Sequence, residues 1–204
     1  MKKVLKLTLV LSLLIGSTSL FAKVRISPVI GVSAPIITYD PLPTDTVFLP
    51  GTGLAVGGIF TLDVIPIIKF DIGAVYKENN FSFITSSTTT EYSYGQLYIP
   101  LMVRAELLMF SFGVGGFYSM ATGTSIEATT GGSTTSTTYS NANWKPNNYG
   151  LMASFGLRFK LPVVPVGILI DAIYRVGADE LSTTSTRSIK QNDIEILAGV
   201  SIYL

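Results

Sequence analysis

Along most of the chain after residue 23, apolar and polar side chains alternate with a period of two. This is the period at which successive side chains of a strand point to opposite faces. In the last stretch Ile194, Ile196, Ala198, Val200, Ile202 and Leu204 share one face, and Asp193, Glu195, Leu197, Gly199, Ser201 and Tyr203 share the other. Leu97, Ile99, Leu101, Val103, Ala105 and Leu107 alternate in the same way with Tyr98, Pro100, Met102, Arg104 and Glu106. Two further runs repeat the arrangement, 151–161 with Arg158 and Lys160 on the polar side, and 68–77 with Lys69, Asp71 and Lys77 there. The pattern predicts eight strands, at 24–39, 51–63, 67–83, 91–107, 110–122, 147–161, 166–178 and 189–204. Each exceeds the roughly 9–11 residues that a tilted strand needs to cross a hydrocarbon layer. The connections near 63–67, 108–109 and 162–165 are short, and those near 40–50, 84–90, 123–146 and 179–188 are long.

The phase of the alternation supplies an independent check. In the run that ends at Leu107 apolar positions are odd-numbered and in the run that starts at Phe110 even-numbered, so a two-residue hairpin of Leu108 and Met109 sets Leu107 opposite Phe110 on one face. A four-residue turn from Pro162 to Pro165 likewise sets Leu161 opposite Val166. An unpaired backbone N–H or C=O in lipid costs several kcal/mol, so a sheet in a membrane must close. Eight strands make a cylinder that side chains can fill. The rival is a soluble eight-stranded barrel around an apolar ligand. It would have to enclose the charged face or wet the uniformly apolar one, and either is unfavourable.

Composition agrees with a lipid-facing exterior: apolar residues make up 48% and charged residues 13% of 204, about half the usual charged share. Lys2, Lys3 and Lys6, an apolar run from Leu7 to Ile15, and small residues up to Ala22 form the layout of a secretory signal peptide over 1–22. That run is about half the length of a spanning helix. The barrel domain is then 23–204. No later run is long and apolar enough for a helix; the nearest, 161–176, is broken by Pro162, Pro165, Gly167, Asp171 and Arg175. Without the three leader lysines the chain has 11 basic and 13 acidic residues, net −2, which gives no reason to expect a nucleic-acid partner. There is no cysteine and no histidine. Disulfides, thiolate metal sites, lipoprotein processing and Ser-His-Asp or Cys-His catalysis are therefore excluded. Gly113, Gly115 and Gly116 lie in a strand pattern with no helix after them, so they make room for long neighbours and do not cradle a phosphate.

The inward face carries the one constellation of charge. Arg25, Lys69, Lys77, Arg104, Arg158, Lys160 and Arg175 face Asp71, Glu106, Asp171, Asp193 and Glu195 across the lumen. An isolated buried ion is costly, so these pair or meet water. One reading is an ionic plug; the other is a narrow ion path. The near balance of seven positive and five negative charges favours the plug. Aromatics mark two girdles. Phe70, Phe110, Phe112 and Phe159 lie near the short turns, and Tyr39, Tyr76, Tyr92, Tyr118, Tyr149 and Tyr174 lie toward the long connections. Trp144 stands where the third long connection re-enters the membrane, as an interfacial anchor. That connection is rich in small hydroxyls: 12 of the 19 residues from Thr122 to Ser140 are Ser or Thr. Such loops are expected to be mobile and solvated, and they are the place for an extracellular ligand if there is one.

The stretch Leu97-Tyr98-Ile99-Pro100-Leu101-Met102-Val103-Arg104 is similar to a Leu-x-Ile-Pro-Leu segment of the small outer-membrane β-barrel proteins, the "porin family" barrel domain. With the leader, the eight segments and the alternation of connection lengths, nearly the whole chain resembles that family. The resemblance implies a bacterial outer-membrane location, lipid and the outer-membrane insertion machinery as partners, and no cofactor. The expectation is a monomeric, all-β, eight-stranded antiparallel up-and-down transmembrane barrel with a structural or surface-interaction role and no enzymatic activity. A narrow conduit for ions or small molecules is the alternative.

Overall fold

A computed structural model describes residues 23–40, 45–85, 88–130, 133–138, 147–180 and 188–204, with backbone alone at 39–40, 123–130, 133–134, 136–138, 180 and 188–189. The leader over 1–22 and Trp144 lie outside these residues. Every regular element among them is a strand: β1 (Val24–Asp40), β2 (Thr46–Pro50), β3 (Gly53–Asp63), β4 (Ile68–Thr85), β5 (Thr88–Leu107), β6 (Phe110–Thr130), β7 (Ser133–Thr138), β8 (Asn147–Lys160), β9 (Val166–Glu180) and β10 (Ser188–Tyr203).

Eight of them close a ring in the order β1-β3-β4-β5-β6-β8-β9-β10, all neighbours antiparallel, with β10 returning to β1. The pairings can be followed once round the wall, from Arg25 through Thr61, Asp71, Met102, Gly115, Met152, Arg175 and Asp193 to Pro35. The path ends ten residues further along β1 than it began. That stagger tilts the strands and brings all the inward side chains onto one narrow axis. Leu107 pairs with Phe110 across the turn at Leu108 and Met109, and Leu161 donates to the Val166 carbonyl at 3.0 Å across the proline turn. Leu108 holds a φ of 58°.

At the end away from these turns the wall continues further than the hydrophobic pattern implied. β4 runs to Thr85 and β5 starts at Thr88, and these two residues pair, so strands occupy most of the connection near 84–90. The connection 40–50 contains β2, which pairs with β4 from Phe81 to Thr85. The Ser/Thr-rich stretch expected to be a mobile loop runs on as β6 up to Thr130 and turns back as β7. Low apolar content was the wrong guide there. Threonine is β-branched and suits a strand, and a ladder that already exists extends at small entropic cost. The β5–β6 ladder has one irregularity, at Gly95/Gln96, where Thr122 has no pairing partner. This bulge at the rim bends the extension.

The outward face is apolar, with Ile30, Leu54, Val114 and Leu151 all exposed. Of the expected girdle residues, Tyr76, Tyr118, Tyr149 and Tyr174 are exposed on the outward phase, as are Phe110, Phe112 and Phe159, while Phe70 is half-buried there. Tyr92 departs from the expectation. It faces inward and stacks on Phe81 at 5.0 Å between ring centroids, because register pairs Phe81 with Tyr92 on the inner face.

Candidate functional site in the barrel lumen

Inward residues form layers along the axis. At the end carrying the short turns, strand alternation points Arg25 (β1), Asp63 (β3), Lys69 and Asp71 (β4), Arg104 and Glu106 (β5), Arg158 (β8) and Asp171 (β9) to the same space. They join in one chain of alternating charge. Lys69 Nζ lies 3.1 Å from Asp63 Oδ2 and Arg25 Nη2 3.2 Å from Asp63 Oδ1. Arg25 Nη2 also reaches Glu106 Oε1 at 2.7 Å, and Arg158 Nε approaches the same oxygen at 3.8 Å. Arg158 Nη2 donates to Asp171 Oδ2 at 2.6 Å, and Arg104 Nη1 lies 3.1 Å from Asp171 Oδ1. Arg104 Nε closes the chain on Asp71 Oδ2 at 2.7 Å, where Thr61 also donates to Asp71 Oδ1 at 2.7 Å. Four cations meet four anions. The wall gives them room: a Cβ on Gly156 would stand 1.9 Å from Asp171 Oδ1, and one on Gly113 would stand 2.4 Å from Ser154 Oγ and 3.7 Å from Arg104 Cζ.

Above this chain is a layer of buried apolar side chains that includes Val29, Ile59, Met102, Met152, Ile173 and Leu197. A second ionic group follows. Lys77 Nζ is 2.6 Å from Asp193 Oδ1, and Arg175 Nη2 is 3.4 Å from Asp193 Oδ2 and 3.1 Å from Glu195 Oε2. Tyr98 donates its hydroxyl to Glu195 Oε1 at 2.6 Å, and the Arg175 guanidinium lies 4.0 Å from the Tyr98 ring centroid and 5.4 Å from that of Phe117. Again the charges balance, two against two. Lys77, Arg175 and Glu195 are each 0% exposed. Next come buried amides: Gln191 donates to Asp193 at 2.8 Å and to Asn79 at 3.3 Å, and Gln96 donates to Ser119 at 2.9 Å. Tyr94 donates its hydroxyl to Gln191. The uppermost layer is aromatic, with Phe48, Phe81, Phe83, Tyr92 and Tyr94 packed beside Ile37.

Two residues change the sequence-derived set. Lys160 follows the inward phase but is exposed at the rim, 5.0 Å from the Tyr203 ring centroid, because it lies one step beyond Arg158 at the end of β8. Asp63, the fourth anion of the eight-ion chain, occupies an inward position at the end of the segment 51–63 and was findable from the same alternation. Tyr98, Gln191 and Thr61 carry no formal charge, so a search for charges passes over them.

A family model described as "outer membrane protein beta-barrel domain" matches residues 19–177. The chain belongs to this family. Outer-membrane barrels turn briefly in the periplasm and extend their long connections outside, so the eight-ion chain is at the periplasmic end and the aromatic layer at the extracellular end. Among solved structures, this outer-membrane barrel is similar to the outer membrane protein OprG from Pseudomonas aeruginosa, with a TM-score of 0.62 at 10% identity over 90% of this chain and 96% of that one. Ail, the attachment invasion locus protein of Yersinia pestis, gives a TM-score of 0.45 at 14% identity over 89% of this chain and 99% of its own. The Neisserial surface protein A gives 0.45 at 15% identity over 88% and 96%. No curated protein matches the chain. The family fixes the location as the bacterial outer membrane, with lipid around the barrel.

Proposed function

We propose that this outer-membrane barrel is a non-catalytic, monomeric surface-interaction protein whose lumen is closed by its own side chains. The observation that supports closure best is charge neutrality at each ionic level, four against four and two against two. A selective path would present an excess of one sign to the permeating ion. Buried ions that each lie within ion-pair distance of at least one opposite charge, separated by an apolar layer, instead hold the wall together and leave no charge to pair with solute. The non-catalytic reading rests on a chain without histidine or cysteine. The leader over 1–22 directs export, and the insertion machinery then assembles the barrel. Surface activity falls to the extracellular extension of β2, β4, β5, β6 and β7 and to the connections beyond it.

Planar-bilayer recording of the refolded full chain tests closure. A silent bilayer, with insertion established by proteolytic protection, is the expected outcome. Steady conductance steps that change with Arg104→Ala or Glu106→Ala would replace this reading with a narrow channel.

A further inference from the structure

The extracellular extension has an outer face as well as an inner one, and that face carries a groove. We propose that the groove walled by β2, β4 and β5 is a saccharide-binding site. It deepens the surface-interaction reading by assigning that role a place and a ligand class.

The groove has a volume of about 490 Å³ and is lined by Leu49, Pro50, Asn80, Ser82, Glu91 and Ser93, a size typical of small-ligand sites. Register puts Leu49, Ser82 and Glu91 in one cross-strand row and Asn80 and Ser93 in the next. Pro50, Phe81 and Tyr92, which also border the groove, form the row between these two, on the opposite phase. Two hydrogen bonds fix Asn80: its Nδ2 donates to the Thr52 carbonyl at 2.9 Å, and Ser93 Oγ donates to its Oδ1 at 2.8 Å. Gly51 lets β2 come down onto β4, since a Cβ there would stand 2.4 Å from the Asn80 carbonyl oxygen.

Height favours a sugar over a lipid chain. On β4 the outward residues change from Ile72, Ala74 and Tyr76 to Glu78, Asn80 and Ser82, so the hydrocarbon ends between Tyr76 and Glu78. Asn80 and Ser82 then lie about 10–15 Å above the Tyr76 girdle, from the strand rise and tilt. That level belongs to the saccharides of the outer leaflet.

Lining chemistry favours the same ligand. The Glu91 carboxylate accepts from adjacent hydroxyls, and the Ser82 hydroxyl donates or accepts. Leu49, on the outward phase with Ser82, offers an apolar contact to the C–H face of a pyranose ring. A phosphate or sulfate group would meet the Glu91 carboxylate, so the ligand is an uncharged part of a glycan. Its source is either the core oligosaccharide of lipopolysaccharide in the same membrane or a glycan presented from outside.

Calorimetric titration of the refolded full chain in detergent tests the site. One probe is core oligosaccharide released from lipopolysaccharide, and the other is a panel of soluble neutral oligosaccharides. Saturable binding of at least one probe is expected. It should weaken about tenfold or more in Glu91→Ala, which removes hydrogen bonds to a charged acceptor, and in Ser82→Trp, which fills the groove. Glu91→Gln, nearly isosteric, keeps the test open if the larger changes fail to give a heat-modifiable barrel. Binding of the core probe alone assigns the site to the protein's own membrane; binding of the other panel alone assigns it to external glycans. No saturable binding of either, or binding that these variants leave intact, overturns the proposal. Conductance steps in the bilayer would sink the closed lumen and leave this result standing, so the two readings fail separately.

Discussion

At the periplasmic end of the lumen eight ions from six strands interlock, whereas at the extracellular end five aromatic rings from β2, β4 and β5 pack beside Ile37. Ions taken out of bulk solvent depend on one another. Asp171 serves both Arg104 and Arg158, so losing it strands two guanidiniums. Burial of apolar surface is non-directional, and loss of one ring loosens its neighbours without leaving an unmet charge. The end enclosed by lipid therefore holds the strands in one register, while the end that stands in water can be reshaped without disturbing the wall below it.

The largest test of this contrast is Asp171→Ala, which should destabilise the folded barrel by about 3–5 kcal/mol, read from urea unfolding in lipid vesicles. A loss below about 1 kcal/mol would remove the distinction between the two ends. Phe81→Ala should cost about 3 kcal/mol within the extension alone. Hydrogen exchange should quicken over Thr46–Pro50 and the upper part of β4 while the β8–β9 ladder keeps its protection. Spread of the effect to β8 and β9 would mean that the extension and the wall open together. Gly156→Val drives a side chain into the Asp171 carboxylate, and a loss of about 1–3 kcal/mol is expected from overpacking. If Gly156→Val unfolds like wild type, the carboxylate has space that its 1.9 Å clearance to a Cβ denies. At the Leu108 turn, Leu108→Gly should stabilise by about 1 kcal/mol by relieving a positive φ, visible as slower unfolding. Lys160→Ala, removing a rim cation outside the eight-ion chain, should change stability by less than about 0.5 kcal/mol.

Much of the wall was legible in the residues themselves. The turns at Leu108–Met109 and Pro162–Pro165 were readable because a phase change in a two-residue period has to coincide with a connection. Lumen candidates followed from the same parity, which also marks Asp63. The extension was illegible for a physical reason. Around Thr88, Thr129 and Thr134 one small polar residue follows another, so the sequence offers no contrast between faces. With the contrast gone, only backbone pairing and β-propensity remain to specify the strand. Tyr92 was misplaced for a related reason: aromatic character near a strand end is common to a girdle residue and to an inner one, and register with Phe81 decides which it is.

By itself, then, the alternation determined which side of the wall each residue takes, because a strand in a membrane must separate an apolar face from a polar one. It could not determine height. Arg104 and Arg175 share an inward phase, yet one lies in the periplasmic chain and the other stacks on Tyr98 above the apolar layer. Their levels depend on the ten-residue stagger accumulated around eight pairings, a property of closure that no single strand contains. The groove outside β2 has the same origin. The local β4–β5 ladder sets Ser82 beside Glu91, but only the extended sheet brings Leu49, from a more distant segment, beside Ser82.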